Sequence, residues 1–288
     1  MYSLVPGLLK QKPNQPQAEL PESKGRVIGF VSAKGGCGAT TVACHIAAEI
    51  ETQAAVKVLL ADYDLDAGVI GYLMRAECSS TLLNAAEHAH SLEPSGWNSL
   101  VTNFRPNLDT LKAPVRRYPD EECKIENLSQ VLRFARTQYE FTVVDLGRGL
   151  TPIARSVLKE IDVLYLVTTF EMPSFFQAKQ LIQSLLLHGC DHFRIRAILN
   201  RARPSDPTLE ELQEMLTVPV LKIPNFYATV AEAFEQRTLV PAAGALGKSF
   251  AHVAKKVAGL GTAKQSGVLS RFAQKMSLRS QFSLETVR

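Results

Sequence analysis

A single glycine-rich loop constrains this chain more than any other stretch. Residues 32–41 read Ser-Ala-Lys-Gly-Gly-Cys-Gly-Ala-Thr-Thr, with an apolar, β-branched run before them (27–31) and a small, apolar segment after them (42–48). This order predicts a strand, a tight loop and a buried helix. The glycines let successive backbone N–H groups point inward, and the start of the helix adds the positive end of its dipole. The stretch therefore predicts a cradle for a phosphate chain.

The last residues of the loop refine this prediction. Thr40 occupies the position at which the Ser or Thr of a phosphate-binding loop holds Mg²⁺, and Thr41 follows it. The lysine that usually precedes that threonine is replaced by Ala39, whereas another lysine, Lys34, opens the loop. We interpret Cys37 as a small filler of the loop rather than as a reactive thiol. The pattern therefore predicts phosphate binding without the usual lysine.

Beyond the loop, strand-like runs alternate with helix-like segments. Segments of helical periodicity, such as Ser174 to His188 with Gly189 as its stop, separate most of the strands. The alternation predicts an α/β fold in which helices cover both faces of a mostly parallel sheet. Ligands of such folds bind at the carboxyl ends of the strands. The predicted strands span 26–33, 55–62, 108–113, 141–146, 162–169, 194–200 and 219–223.

Composition argues against two other classes of protein. The chain has 288 residues, of which 46% are hydrophobic, and this suffices for one large globular domain. No apolar run approaches the roughly 20 residues of a membrane span, and no charged-then-apolar leader indicates export. The 5 cysteines include no CxxC pair, which argues against a disulfide framework or a zinc cluster. We therefore expect a globular protein of the reducing cytoplasm.

Carboxylates stand at the ends of two predicted strands. The second strand ends in Asp62, with Asp64 two residues later, and the fourth strand (141–144) leads into Asp145. A β-branched, apolar run that ends in Asp is typical of a Walker B sequence, whose carboxylate holds Mg²⁺ through its water shell. Such strand ends suit phosphoryl transfer, which needs a metal and an oriented water. Arg148, three residues further on, either faces a phosphate or is a surface arginine.

These motifs resemble those of the ParA/MinD superfamily, the deviant Walker A ATPases, over roughly residues 26–260. The resemblance implies a P-loop NTPase fold, ATP and Mg²⁺ as cofactors, and a homodimer that forms around nucleotide. The residues that it assigns to nucleotide binding are Lys34, Gly35, Gly36, Cys37, Gly38, Ala39, Thr40, Thr41, Asn200 and Pro224.

The resemblance also assigns roles at the metal and the reacting phosphate. It implies that Thr40, Asp62 and Asp145 hold Mg²⁺, partly through water. Catalytic roles fall to Asp64, which would orient the attacking water, and to Lys34, which would reach the nucleotide of the partner subunit. Asn200 would contact the base, with the loop at Pro224 beside it.

Three details are most similar to the CpaE/TadZ branch of pilus-assembly proteins. They are the Gly-Gly-x-Gly-Ala-Thr-Thr form of the loop, the stretch 144–149, and the Val-Thr-Thr of 167–169 before Pro173. This branch implies a dimer that localises a type IV or tad pilus or secretion machine, in the cytoplasm or at the inner face of the membrane or the cell pole. Because Ala39 removes a charge that would neutralise the transition state, we expect weak or absent ATP hydrolysis.

Both ends differ from the predicted nucleotide-binding domain, 26–262. Residues 1–25 hold four prolines and predict a flexible leader. From Ala245 onward eight basic residues oppose one acidic residue, a net charge of +7, which leaves about −3 for the rest of the +4 chain. Within the tail, 263–288, an apolar stripe at helical spacing (268–276) would suit an anionic membrane surface as partner, with DNA less favoured. A helix packed on the body or a disordered end is the simpler interpretation.

Two other functions compete with pilus assembly. A partition or cell-pole positioning ATPase would act on DNA or membrane, and we would expect it to keep a lysine at position 39. A non-catalytic scaffold would ignore nucleotide. A metal site at His88 and His90 is disfavoured, because no carboxylate or cysteine stands at a convincing spacing from them.

Overall fold

An eight-stranded sheet runs through the residues that the computed structural model describes, 25–115 and 125–260. The order across the sheet is β3-β4-β2-β5-β1-β6-β7-β8, and neighbouring strands are parallel except β3 and β4. The predicted α/β class and its mostly parallel sheet are confirmed. The strands are β1 (Arg26–Ser32), β2 (Val58–Asp62), β3 (Thr102–Arg105), β4 (Leu108–Leu111), β5 (Phe141–Arg148), β6 (Val163–Thr168), β7 (Ile195–Ala202) and β8 (Val220–Pro224).

Helices cover both faces of the sheet, as a buried parallel sheet requires. The helices of the described residues are α1 (Ala39–Ala54), α2 (Ile70–Leu73), α3 (Leu82–Glu87), α4 (Pro94–Trp97), α5 (Ile125–Gln138), α6 (Pro152–Val157), α7 (Met172–Leu187), α8 (Leu209–Leu216), α9 (Tyr227–Glu235) and α10 (Ala245–Ala258). One apolar core joins the sheet to α1, α2, α9 and α10, and the other joins it to α3 through α8.

Several strand boundaries differ from the predicted ones. β2 begins at Val58 rather than at 55, because Ala55 caps α1 in the left-handed region (φ 53°) and the chain cannot yet be extended there. β3 was not predicted, since its four residues form a short antiparallel edge with an irregular register. β7 continues past Asn200 through a register shift at which Arg201 also has a positive φ, 55°.

The predicted leader, 1–25, lies outside the described residues except for Gly25, and so does the tail, 263–288. Among the described helices, none combines the length and apolarity needed to cross a bilayer.

Trp97 holds the irregular region between β2 and β4 against α5. The indole is 2% exposed and packs on Phe134, with ring centroids 5.1 Å apart. Its Nε1 donates to the Tyr139 hydroxyl at 2.8 Å, and that hydroxyl donates to Asp109 Oδ2 at 2.7 Å. One buried hydroxyl therefore satisfies an indole and a carboxylate, and it ties α4 to the end of α5 and to β4.

Removing this hydroxyl tests the connection. Tyr139→Phe leaves the buried indole N–H without its acceptor, and we expect it to lower the free energy of unfolding by about 1–3 kcal/mol. Tyr72→Phe is the matched control, because Tyr72 is 59% exposed and the change should stay within about 0.5 kcal/mol. Urea unfolding followed by circular dichroism measures both variants, and equal losses would contradict the assigned role.

Candidate functional site

The glycine loop turns sharply and leaves the start of α1 open. Gly36 and Gly38 have positive φ values, 86° and 91°, and Gly38 is the N-cap of α1. No side chain caps the helix, and its first turn carries no acidic residue. The amide groups at the start of the helix are therefore available to an anion, and the helix dipole favours one.

Asn200 holds the loop from the neighbouring part of the sheet. Its Nδ2 donates to Cys37 O at 2.9 Å, and a Cβ on Gly38 would lie 2.5 Å from that nitrogen. The close approach explains why glycine is needed at position 38 beyond its positive φ. Cys37 is 1% exposed, which agrees with a loop filler. The structure thus gives Asn200 a role in loop positioning, and its contact with a base remains a prediction.

Two buried carboxylates lie side by side behind the loop. Asp62 and Asp145 are paired in register on β2 and β5, and both are fully buried. Asp62 accepts from the backbone N–H groups of Ile70 at 3.0 Å and Asp64 at 3.2 Å. Burial raises its pKa, and the charge of Asp145 raises it further. The pair therefore resists carrying two negative charges at a point that little water reaches.

Asp145 has a free oxygen at this point. Its Oδ1 accepts from Gly147 N at 3.1 Å, whereas its buried Oδ2 makes no well-formed hydrogen bond with a described residue. Burial raises the pKa of Asp145 to about 6, and the Thr40 hydroxyl is near enough to oppose that rise. A buried carboxylate oxygen without a partner, next to a threonine hydroxyl, is a donor set that suits Mg²⁺. The residues present fit Mg²⁺ with a phosphate chain on the loop.

Asp64 lies at the rim of the same site. Its Oδ1 accepts from Ala67 N at 3.0 Å and Asp66 N at 3.3 Å, which fixes the carboxylate on the loop after β2. A Cβ on Gly147 would lie 2.5 Å from the Asp64 carboxyl, and Gly147 also has a positive φ of 68°. The predicted metal residues Asp62 and Asp145 and the predicted water-orienting residue Asp64 therefore meet at one end of the sheet.

Lys34 opens the loop on its solvent side. Its carbonyl accepts from Ser32 Oγ at 2.6 Å and from Cys37 N at 3.2 Å, so its backbone is fixed in the turn. The side chain is half-buried and forms no ion pair within the described parts of the chain. The structure leaves Lys34 able to meet an anion, and its role across a dimer is still a prediction.

A cleft of about 200 Å³ lies beyond Asn200, at the carboxyl ends of β6, β7 and β8. Its walls include Thr169, Glu171, Arg201, Asn225 and Tyr227, and the Arg201 guanidinium stacks over the Tyr227 ring at 5.5 Å. Neither Asn200 nor Pro224 lines the cleft, although each is followed by a residue that does. The predicted strand ends at Asn200 and Pro224 border this cleft, but neither Arg201 nor Tyr227 was singled out from the sequence. Arg201 directly follows a predicted strand end, whereas no sequence signal marks Tyr227.

The segment 236–240, after α9, connects two sides of the site. His45 Nδ1 donates to Thr41 O at 2.7 Å, and its Nε2 accepts from Val240 N at 2.9 Å. These partners require a neutral imidazole, and burial lowers the pKa of His45 to about 4. Arg237 stacks on Tyr72 of α2 at 4.5 Å. The segment thereby ties the glycine-loop helix to the helix that follows Asp62.

His88 and His90 belong to other elements than those that carry these carboxylates. His88 is the C-cap of α3, and His90 lies in the short turn that follows. Residues 25–115 and 125–260 contain no cluster of three or more His, Cys, Asp or Glu side chains arranged to hold a metal.

Sequence comparison finds relatives among cell-division proteins. No family model matches the chain. The septum site-determining protein MinD of Synechocystis is 27% identical over 205 residues, which cover 69% of this chain and 75% of the relative.

Comparison of folds finds ParA and MinD proteins among the similar solved structures. A ParA family ATPase from Chlorobium tepidum superposes with a TM-score of 0.74 at 28% identity, over 80% of this chain and 98% of that one. MinD of Pyrococcus horikoshii, solved with Mg-ADP, superposes with a TM-score of 0.69 at 23% identity, over 81% and 96%. The fold is therefore that of the ParA/MinD P-loop ATPases, and the likenesses in sequence support the same superfamily.

The Asp145 carboxyl should make stability depend on pH. The pKa of this carboxyl is about 6 in the folded protein, against the ordinary value of 3.8 that we take for the unfolded chain. Between these pH values the folded chain binds more protons than the unfolded chain, so the free energy of unfolding falls as pH rises. Without ligand and with chelator present, Asp145→Asn should raise the free energy of unfolding by about 1–3 kcal/mol at pH 7.5. The gain should shrink as pH falls through 6 toward 4.

Chemical denaturation across this pH range measures the effect. Asp66→Asn is the control, since Asp66 is an exposed carboxylate of the neighbouring loop. A gain that is the same at every pH, or a loss at pH 7.5, would show that the buried charge of Asp145 is not what the substitution relieves.

Proposed function

We propose that this protein is an ATP-binding switch of the ParA/MinD type that dimerises around Mg-ATP. The observation that carries the proposal is the buried Asp145 oxygen that lacks a well-formed hydrogen bond, close to Thr40 at the uncapped start of α1. A cation there would relieve the charge of Asp62 and Asp145, and the loop amides would hold the phosphates that bring it.

Each residue has a separate task in this proposal. Thr40 would hold Mg²⁺ directly, and Asp145 and Asp62 would hold it partly through water. Bound Mg²⁺ would neutralise phosphate charge. Asp64 would orient the water from the rim, where its carboxylate is fixed by two backbone N–H groups. Lys34 would meet the nucleotide of the partner subunit, since its side chain has no ion pair in the described residues.

Ala39 limits the reaction more than it limits binding. The loop amides and the metal site remain without the usual lysine, but the charge that it would place at the transition state is absent. We therefore propose slow or absent hydrolysis, so that nucleotide acts mainly as a binding signal that controls dimerisation.

The cellular role that we propose is localisation of a type IV or tad pilus or secretion machine. The loop with Ala39 and the stretches 144–149 and 167–169 support this role, because they resemble the corresponding motifs of the CpaE/TadZ branch. The second candidate is a positioning ATPase that acts on membrane or DNA, and the likeness to MinD favours it. In both cases we propose a cytoplasmic protein that binds peripherally at the membrane or cell pole.

Calorimetric titration with Mg-ATP tests nucleotide binding. We expect the wild-type protein to bind, and we expect Ala39→Lys to tighten binding about ten- to a hundred-fold by adding a charged contact. Gln180→Lys is the control, since it adds the same charge at an exposed position on α7. If the wild-type protein does not bind Mg-ATP at millimolar concentration, the proposed switch is wrong and only the non-catalytic scaffold function remains.

Hydrolysis and dimerisation distinguish the remaining functions. Ala39→Lys should raise the rate of phosphate release above that of wild type, and Mg-ATP should shift both proteins toward dimers in analytical ultracentrifugation. Fast hydrolysis by the wild type that DNA stimulates would favour the positioning ATPase over the pilus role.

A further inference from the structure

We infer that Arg148 binds the terminal phosphate of ATP and thereby supplies, for binding but not for the transition state, the positive charge that Ala39 removes. The inference rests on the proposed function, because it names a further residue of that same site. The positively charged side chain that contacts the phosphate then comes from the end of β5 rather than from the start of α1.

The backbone fixes Arg148 at the entrance to the glycine loop. It is paired in register with Ser32, the last residue of β1, and the next amide, Gly149 N, donates to Ser32 O at 2.9 Å. Gly147 and Gly149 both have φ of 68°, so the chain bends on each side of the arginine. Position 148 is therefore held by the strand that leads into the loop.

The Arg148 side chain lies along the loop itself. A Cβ on Gly35 would lie 3.7 Å from Arg148 Cδ and 4.0 Å from its Nη1. The arginine is exposed, and within residues 25–115 and 125–260 it forms no ion pair with a carboxylate. Arg133 and Arg136, by contrast, pair with Glu160 and Asp162 at 2.8 and 2.9 Å. Arg148 thus places a guanidinium beside the glycine loop, and no carboxylate of the described residues neutralises its charge.

The neighbours of Arg148 indicate which phosphate it meets. Asp64, the proposed water-orienting residue, lies against Gly147, one residue before the arginine. The attacked phosphate must lie near an oriented water, so Arg148 and Asp64 share the rim at which the terminal phosphate belongs. A planar guanidinium can donate two parallel hydrogen bonds to phosphate oxygens, which a single ammonium cannot match.

Nucleotide affinities test this assignment without relying on turnover. We expect Arg148→Ala to weaken Mg-ATP binding ten-fold or more and to weaken ADP binding by less than about three-fold, since ADP lacks the terminal phosphate. Arg148→Lys should restore part of the ATP affinity. Arg155→Ala is the control, because Arg155 is an exposed arginine on the neighbouring α6. Thermal melts of the free proteins verify that each variant is folded.

A double variant tests whether a lysine at position 39 can replace the positive charge of Arg148. Ala39→Lys in the Arg148→Ala background should return the affinity for Mg-ATP to within about three-fold of wild type. A wild-type protein that does not bind ATP overturns the proposed function itself. If the wild type binds but Arg148→Ala binds equally well, loses ATP and ADP alike, or is not rescued by Ala39→Lys, the role of Arg148 is wrong while nucleotide binding stands.

Discussion

The arrangement of the candidate site depends on two carboxylates that are buried at one point of the sheet. Parallel pairing of β2 with β5 places Asp62 directly beside Asp145, and both are fully buried. Such a pair is costly unless a cation or several donors compensate it. Backbone N–H groups compensate both oxygens of Asp62, but Asp145 keeps one oxygen without a well-formed partner among the described residues. A cation bound at this position would therefore stabilise the free protein.

Two glycines allow close approaches around this pair. Asp64 packs against Gly147, and Asn200 packs against Gly38. Both contacts are possible only because glycine has no side chain. The segment 236–240 joins the helix after the loop to the helix after Asp62 through His45, Arg237 and Tyr72. The start of α1 and the α2 side of the site are thus joined by packed groups.

Most of the site could be predicted from the sequence, because its parts are local. The glycine loop, Thr40 and the strand ends at Asp62 and Asp145 each follow from a few neighbouring residues, and the parallel sheet brings them together. The sequence could not show that Asn200 holds the loop or that Arg201 and Tyr227 line the neighbouring cleft, since those contacts join distant segments. The edge strand β3 was missed because four residues with an irregular register carry little periodic signal. The predicted membrane-binding tail lies outside the described residues.

The central claim is that the loop amides, Thr40 and Asp145 together receive Mg²⁺ and a triphosphate. A crystal structure with Mg²⁺ and a non-hydrolysable ATP analogue tests it most directly. The account predicts phosphates on the amides of residues 35–41, a metal ion on the Thr40 hydroxyl, and Asp145 Oδ2 in contact with that ion or its waters. A nucleotide bound elsewhere, or a metal ion that ignores both residues, would contradict it.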